Sequence, residues 1–377
     1  MQMTKQANQI SITSIAVYQS KIKLTKPFVI SLGPLSHAEN VIVEIKTNTG
    51  LIGFGECSPF MTIHGESMET CFVVARYLGQ VLIGENPMDI QHCTARMDSV
   101  IFGNASIKSA FDMALYDIAA QQAKVPLYRL LGGSKQKVLY TDYTVSLSNP
   151  STMASVAKEI LLKGFPVIKV KLGAGAERDV ESIRQIRAAV GMDIPIRIDA
   201  NQAWSIDEAI QILKALEPYR IQHCEAPIRK GQFAALAKIR TNSPIPIMAD
   251  ESCCTPFDTE QLIQYQSCDS LNIKLGKSAG LFAALKIIEL AQAAGLPIQV
   301  GGFLESRLGF TAAAHLALSS TQVVYCDFDT PLMFEEDFVQ GGMEYGPNGA
   351  IKIPEQIGLG AYYNADYLDQ LPKQIID

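Results

Sequence analysis

The sequence predicts an α/β protein built around a closed (β/α) barrel, with a smaller α+β domain before it. The chain has 377 residues, which is enough for one large domain and one smaller domain. Its N-terminal third has the period-two pattern of strands and then the periodicity of helices. After Gly133, short β-rich runs alternate with amphipathic stretches at intervals of about 25 residues, the length of a βα unit.

The N-terminal domain is predicted from two successive patterns. Residues 10–56 alternate polar and apolar side chains, and an Asn-Thr-Gly turn separates two half-buried strands, which indicates an antiparallel sheet. Residues 66–131 have helical periodicity, and Gly132 and Gly133 follow them. We therefore expect an α+β domain over residues 1–132.

The barrel prediction depends on a count of strands and helices. The β-rich runs are residues 140–147, 166–172, 195–201, 221–227, 244–251, 270–276, 297–303 and 322–329. Eight strands in strict alternation with seven helices predict a parallel sheet, and this count fits a closed barrel better than an open doubly wound sheet. No glycine-rich phosphate-binding turn follows the first strands, which argues against nucleotide-binding open sheets. We assign the barrel to residues 133–332 and expect residues 333–377 to pack back on the first domain.

The composition argues against several functional classes. A net charge of −6 without a Lys/Arg cluster argues against nucleic acids and anionic membranes as partners. The apolar runs are too short to span a bilayer, and the N-terminus lacks the features of a secretory signal. The eight cysteines show no CxxC spacing, which favours buried free thiols over disulfides or zinc ligands. We therefore expect a cytoplasmic protein that acts on a small molecule.

Three acidic residues lie at the ends of consecutive predicted strands. Asp199, Glu225 and Asp250 are 26 and 25 residues apart, so each strand presents one carboxylate at the C-terminal face of the barrel. A single acidic residue in such a place is more often a helix cap or a turn residue. Three in phase favour a site for a hard divalent cation, and Mg²⁺ suits an all-oxygen ligand set.

Three lysines also lie at strand ends. Lys169 and Lys171 share one face of the second strand, in the stretch "PVIKVKLG", and Lys274 ends the sixth strand. An exposed edge strand would explain an isolated pair of this kind, but apolar residues flank these lysines and burial of a lone lysine is costly. Strands two and six face each other across a closed barrel. Two amines on opposite sides of a metal-held carboxylate could remove and return a proton beside it, and neighbouring charge is expected to lower their pKa.

These residues resemble the enolase superfamily in its muconate-lactonizing-enzyme subgroup. The resemblance includes "KVK", "DAN", "CEAP", "ADES" and "NIK" at the strand ends, and the stretch "AFDMALYDIAAQQAKVPLYRLLGG" that joins the two domains. It implies a modified (β/α)₇β barrel of the TIM type, with an N-terminal capping domain that the C-terminal segment completes. It also implies that Lys171 and Lys274 are the acid/base catalysts and that Lys169 is their electrostatic partner. The implied Mg²⁺ ligands are Asp199, Glu225 and Asp250.

Within the subgroup, the sequence is similar to dipeptide epimerases. Their mark is a DxD at the end of strand eight that binds the α-ammonium of the dipeptide, and Asp327 and Asp329 supply it here. Thr144 lies where the family contacts substrate. The resemblance implies inversion of the C-terminal residue by 1,1-proton transfer through an enediolate, with L-Ala-D/L-Glu as the leading substrate, and a homo-oligomer as the assembly.

One departure from the family pattern concerns specificity. Epimerases of Ala-Glu can carry an arginine for the glutamate side chain, and its position corresponds to Gly33 here, which leaves Lys26 or Arg307 as possible substitutes. A broader or more hydrophobic L-Ala-X range is the alternative. Specificity is expected to lie in the loops at residues 28–36 and 58–66, where we interpret His64 as an exposed loop residue.

Two other functions remain open. On the same scaffold the enediolate could eliminate or cyclise, as in o-succinylbenzoate synthase, N-acylamino acid racemase or a cycloisomerase, but acyl-amino substrates have no ammonium for the DxD to bind. A non-catalytic binding protein would not need bases on both faces of its ligand.

Overall fold

The structure, a computed structural model, describes residues 10–135, 137–353 and 355–377. It begins with three antiparallel strands of one sheet, β1 (Ile12–Ile30), β2 (Gly33–Thr47) and β3 (Ile52–Cys57). The period-two pattern buries alternate side chains of β1 and β2 against the helices that follow. Residues 1–9 of the predicted N-terminal domain lie outside the described residues.

Five helices complete the N-terminal part. They are α1 (Met61–His64), α2 (Met68–Leu82), α3 (Ile90–Val100), α4 (Ala105–Ala123) and α5 (Leu127–Leu130). Helix α4 is buried on nearly all sides because it packs against β3 and also contacts the barrel. A Cβ at Gly53 or Gly55 of β3 would lie only 2.2 or 1.9 Å from a carbonyl oxygen of α4, so these glycines permit the close packing.

The segment predicted as a loop at residues 28–36 is part of a long hairpin. Strands β1 and β2 continue past a register shift between Lys23 and Phe28, and Phe28–Ile30 then pair with Gly33–Leu35. Gly33 has φ +122°, a conformation that favours glycine, and it lies beside the two-residue tip of the hairpin. The hairpin projects over the C-terminal face of the barrel.

The barrel follows β4 (Leu139–Tyr140). Its parallel strands are β5 (Tyr143–Val145), β6 (Ile168–Lys171), β7 (Ile196–Asp199), β8 (Ile221–Glu225), β9 (Ile247–Ala249), β10 (Ser270–Lys274), β11 (Ile298–Gly301) and β12 (Val323–Cys326). Each strand lies inside its predicted run and pairs with its neighbours in chain order. A parallel bridge between Thr141 and Cys326 joins the first strand region to the last. The predicted eight-stranded (β/α)₇β barrel is therefore confirmed.

Seven helices connect the barrel strands. They are α6 (Pro150–Leu162), α7 (Ala176–Val190), α8 (Ile206–Ala215), α9 (Phe233–Asn242), α10 (Pro256–Gln264), α11 (Leu281–Ala293) and α12 (Arg307–Ala317). Side-chain caps start several of them, for example Asn149 at α6 and the capping boxes of Ser205 at α8 and Thr255 at α10. These caps fix the points at which the chain leaves the strand ends and turns into each helix.

The C-terminal segment returns to the N-terminal part. It contains β13 (Val339–Gly341), β14 (Glu344–Tyr345), β15 (Ala350–Lys352), β16 (Ala361–Tyr363), α13 (Ala365–Gln370) and β17 (Lys373–Ile376). Strand β17 pairs antiparallel with β1, and β15 lies between β14 and β4. Three 3₁₀ helices lie at Glu217–Tyr219, Thr330–Met333 and Pro347–Gly349.

All eight cysteines are free thiols, and all of them except Cys254 are buried. Among the described residues, no helix combines the length and the hydrophobicity that a membrane crossing requires.

The buried carboxylate of Glu56, at the end of β3, joins the three parts of the chain. It accepts hydrogen bonds from the side chain of Asn40 on β2 at 2.7 Å and from the hydroxyl of Tyr363 on β16 at 2.9 Å. It also accepts from the backbone N–H groups of Ser306 and Gly309 at the start of α12, at 2.9 and 3.0 Å. Burial raises the pKa of Glu56, although these donors partly offset that effect.

We expect Glu56→Ala to lower the free energy of unfolding by about 3 kcal/mol or more, because several buried donors lose their acceptor. Urea denaturation followed by circular dichroism measures the change. Glu56→Gln keeps an acceptor oxygen and should lose less. Glu39→Gln is the control, because Glu39 lies in an exposed ion pair with Lys21. An Ala variant as stable as this control would contradict the assigned role.

Candidate active site

The three predicted metal ligands come together at the C-terminal face of the barrel. Asp199, Glu225 and Asp250 end β7 and β8 and follow β9, and they are all buried. One carboxylate oxygen from each lies within 4.8 Å of the others. Neighbouring parallel strands in register place these side chains side by side, with Asp199 opposite Glu225. The 26- and 25-residue spacing of the sequence therefore corresponds to real proximity.

Lys169 lies at the centre of this acidic cluster. Its Nζ is 2.7 Å from Asp327, 2.8 Å from Glu225 and 3.4 Å from Asp199, and its side chain is only 2% exposed. Burial alone would lower the pKa of Lys169, but the surrounding carboxylates outweigh burial and raise it well above its ordinary value. Lys169 is therefore a permanent cation that holds carboxylates from three strands together.

Lys171 and Lys274 each form a short ion pair with one of the three acidic residues, and Lys274 also lies 3.9 Å from Glu225. Lys171 Nζ lies 2.7 Å from Asp199, and Lys274 Nζ lies 2.7 Å from Asp250. Burial would lower the pKa of Lys274, but the carboxylates of Asp250 and Glu225 outweigh burial and raise it. The sequence predicted a lowered pKa because other lysines lie nearby. The pKa of Lys274 is raised instead, because the effect of the carboxylates outweighs that of Lys169.

Both lysines line the same cavity, which has a volume of about 50 Å³. They approach it from β6 and β10, the second and sixth strands of the barrel, as the sequence predicted. The roof of the cavity is apolar and comes mainly from the hairpin and from residues 58–66. Its apolar lining residues are Phe28, Ile30, Leu35, Phe60, Ile63, Phe303 and Leu304.

The predicted DxD lies at one wall of this cavity. Asp327 and Asp329 follow β12 and both line the cavity, together with Thr144 of β5. Asp329 accepts a hydrogen bond from the backbone N–H of Thr144 at 2.6 Å. Burial and the charge of Asp327 raise the pKa of Asp329 to about 7. Burial would likewise raise the pKa of Asp327, but Lys169 outweighs burial and lowers it well below its usual range.

The residues of the acidic cluster fit a hard divalent cation. All three offer carboxylate oxygens, and neither sulfur nor imidazole belongs to the cluster. The three ligand oxygens lie within 4.8 Å of one another, which is close enough for one ion to be reached by all three carboxylates. Three buried carboxylates this close repel one another, which a dication would relieve.

Several residues of the site were not identified from the sequence. Lys277 Nζ forms an ion pair with Asp250 Oδ1 at 2.9 Å, whereas Lys274 contacts Oδ2 of the same carboxylate. Lys277 also donates to the backbone carbonyls of Cys253 and Asn272 at 2.8 and 2.7 Å. The expectation for His64 was wrong: its ring lies against Phe303 and its Nε2 is buried. The sequence did offer a signal that Lys277 belongs to the site, because it lies only three residues after Lys274 in "NIKLGKSAG".

Fold and site together define the class of protein. It has a barrel with buried carboxylates at consecutive strand ends, lysines on opposite strands, and an N-terminal part that covers the cavity. The chain belongs to the mandelate racemase / muconate lactonizing enzyme family. The model described as "Mandelate racemase / muconate lactonizing enzyme, N-terminal domain" matches residues 12–132, and the model "Enolase C-terminal domain-like" matches residues 152–367.

Relatives with assigned activities extend over the whole fold. The chain is 58% identical to the D-Ala-D/L-Ala epimerase of Cytophaga hutchinsonii, over 97% of this chain and 100% of that protein. It is 38% identical to the L-Ala-D/L-Glu epimerase of Bacillus subtilis, over 93% of this chain and 96% of that protein. The crystal structure of a dipeptide epimerase from Cytophaga hutchinsonii, complexed with Mg and D-Ala-L-Val, superimposes with a TM-score of 0.97 and covers 97% of this chain and all of that one, at 58% identity.

We expect Lys169→Met to lower the free energy of unfolding by about 3–5 kcal/mol in the presence of a chelator, because buried carboxylates lose the cation between them. Urea denaturation at neutral pH measures the loss. Lys158→Met is the control, since Lys158 is exposed on α6. Equal stability of the two variants would show that Lys169 does not balance the buried charge.

Proposed function

We propose that the protein is a Mg²⁺-dependent dipeptide epimerase that inverts the configuration of the C-terminal residue. The observation that carries the proposal is that Lys171 and Lys274 line one cavity from opposite strands, next to three carboxylates that fit a divalent cation. Proton removal on one face of a carbon and proton return on the other require this arrangement. The Mg²⁺ and D-Ala-L-Val bound to the structure from Cytophaga hutchinsonii support the same activity.

The reaction needs one proton transfer from each lysine. One amine takes the proton from Cα of the C-terminal residue, which leaves the enediolate of the substrate carboxylate. The ammonium of the other lysine then delivers a proton to the opposite face of the same carbon, and the configuration is inverted. Held by Asp199, Glu225 and Asp250, Mg²⁺ supplies positive charge that stabilises the enediolate and favours the neutral amine.

We assign Lys169 a part in both protein stability and catalysis. It fixes the ligand carboxylates and adds a permanent positive charge near the position where negative charge develops on the substrate. It is fully engaged by carboxylates and its pKa is raised, so it does not act as a base.

The wall formed by Asp327 and Asp329 is assigned to the α-ammonium of the dipeptide. Both carboxylates are buried, and Asp327 already forms an ion pair with Lys169. A cationic ammonium is the natural partner for the remaining acceptor oxygens, with Thr144 beside them. This requirement for a free ammonium favours dipeptides over the N-acylamino acids, and also over the succinylbenzoate and cycloisomerase substrates.

The cavity roof favours a small or apolar C-terminal residue over glutamate. Among the described residues that line the cavity, the only cationic side chains are Lys171 and Lys274. Arg307 is committed elsewhere, since it forms an ion pair with Asp337 and donates to backbone carbonyls near β13. Lys26 is exposed and does not line the cavity. A glutamate side chain would therefore enter an apolar space without a partner.

Incubation with Mg²⁺ and Ala-Ala dipeptides in D₂O tests the proposed activity. We expect NMR to show deuterium at Cα of the C-terminal residue together with inversion, and a chelator to stop both. Lys171→Ala and Lys274→Ala should each lose inversion by more than about a thousandfold, because each removes the acid or base for one face. Inversion that continues in either variant would refute the assignment of two bases.

A series of Ala-X dipeptides tests the assignment of the side-chain pocket. Met, Gln and Glu have similar lengths and differ in polarity, so kcat/KM for their Ala-X dipeptides should fall in that order. We expect a fall of about tenfold or more from Met to Glu, since burial of an unpaired carboxylate costs several kcal/mol. Both D-Ala and L-Ala should be used as the first residue. A preference for Glu would show that a cation reaches the pocket after all.

We also propose three properties of the whole protein. Residues 1–132, 133–332 and 333–377 are the capping domain, the barrel and a segment that completes the cap, which the pairing of β17 with β1 supports. The family resemblance supports a homo-oligomer, which light scattering tests. The eight free thiols support a reducing compartment such as the cytoplasm, which localisation of the tagged protein tests.

A further inference from the structure

His64 is held in one conformation over the barrel. It ends the short helix α1, and its Nδ1 accepts a hydrogen bond from the backbone N–H of Phe60 at 3.0 Å. The loop itself is tied to the barrel, because Lys230 Nζ donates to the carbonyl oxygen of Ile63 at 2.6 Å. Burial, and then the charge of Lys274, lower the pKa of His64 to about 3, so the ring is neutral and carries its proton on Nε2.

The ring of His64 contacts one aromatic residue of the barrel. It packs edge-to-face against Phe303, with ring centroids 4.4 Å apart and an interplanar angle of 81°. Phe303 follows β11 and lines the cavity. The same Phe303 ring also forms a cation–π contact with Lys274, whose Nζ lies 4.8 Å from the ring centroid. His64, Phe303 and Lys274 therefore form a continuous series of contacts from the loop to one of the two amines.

The second amine, that of Lys171, lies beside a different aromatic ring. Lys171 Nζ lies 5.9 Å from the ring of Phe28, which belongs to the β1–β2 hairpin. Among the described residues, His64 forms neither a hydrogen bond nor a ring contact with Phe28 or Lys171. The aromatic covers of the two amines thus depend on two different segments of the capping part, residues 28–36 and residues 58–66.

We propose that His64 is a positioning residue that holds the Phe303 ring against Lys274 and so controls this amine without affecting Lys171. The inference rests on the proposed epimerase function and extends it. A fixed ring beside the amine excludes water and limits the directions in which Nζ can lie. Loss of the His64 side chain frees Phe303 and slows each step in which Lys274 gives or takes a proton.

An unequal effect on the two lysines has a signature in D₂O. When the substrate epimer faces Lys171, return of a deuteron from Lys171 gives exchange with retention, and delivery from Lys274 gives inversion. A slower Lys274 raises the ratio of retention to inversion for this epimer. When the other epimer faces Lys274, exchange and inversion both begin with the impaired amine and fall together. Lys274→Ala identifies the first epimer, since it is the one that still exchanges.

We test the proposal with His64→Leu, using NMR of both epimers in D₂O. We expect the ratio of retention to inversion to rise by about three- to tenfold for the epimer that faces Lys171, a change typical of a lost aromatic contact. Exchange of the other epimer should fall by a similar factor. Met61→Ala is the matched control, because Met61 lies on the same helix with 72% of its surface exposed, and it should leave both ratios unchanged.

Two further variants separate positioning from a general loss of structure. His64→Phe keeps a ring against Phe303 and should restore most of the wild-type ratio. Phe303→Leu should reproduce the His64→Leu signature, and the double variant should add nothing further. Equal effects on both epimers, or an additive double variant, would overturn the proposal. Absence of exchange in the wild-type protein would instead count against the epimerase function itself. If His64→Leu does not fold, Phe303→Leu tests the proposal in its place. An unchanged ratio of retention to inversion in Phe303→Leu would then overturn it.

Discussion

Charge balance at the C-terminal face of the barrel constrains the rest of the structure. Four buried carboxylates lie beside the buried ammonium groups of the lysines: those of Asp199, Glu225, Asp250 and Asp327. Lys169 contacts three of the four. Unpaired, each such group would cost several kcal/mol to bury, so the strands that carry them must stay in register. The apolar barrel core and the capped helices hold this register, and the chemistry of the site uses the charges that the register brings together.

The capping part and the barrel contribute different surfaces to the cavity. The barrel supplies the charged floor, whereas the hairpin and the loop around His64 supply most of the apolar roof. The two parts are joined by the carboxylate of Glu56 and by helix α4, which the glycines of β3 allow to lie close. The joint and the cavity roof are therefore formed by different residues of the capping part.

The sequence was sufficient for the barrel and for the floor of the site, because both follow from periodicity. A βα unit has a nearly constant length, so a spacing of 26 and 25 residues could place Asp199, Glu225 and Asp250 side by side. The roof has no such period. The length of the hairpin depends on pairing between Phe28–Ile30 and Gly33–Leu35, and the burial of His64 depends on Phe303, which is far away in the chain. Contacts between distant segments of this type leave no regular pattern in one sequence.

The barrel wall is least continuous where its first and last strands meet. Within the described residues, the bridge between Thr141 and Cys326 is the only backbone pairing of strand type there. Side-chain bonds supplement it, such as the one from the Thr144 N–H to Asp329. The residues assigned to the substrate ammonium lie along this seam, while the two lysines belong to strands paired on both sides. A shift of this seam would therefore change the site assigned to the ammonium, while the strands that carry the two amines would keep their neighbours.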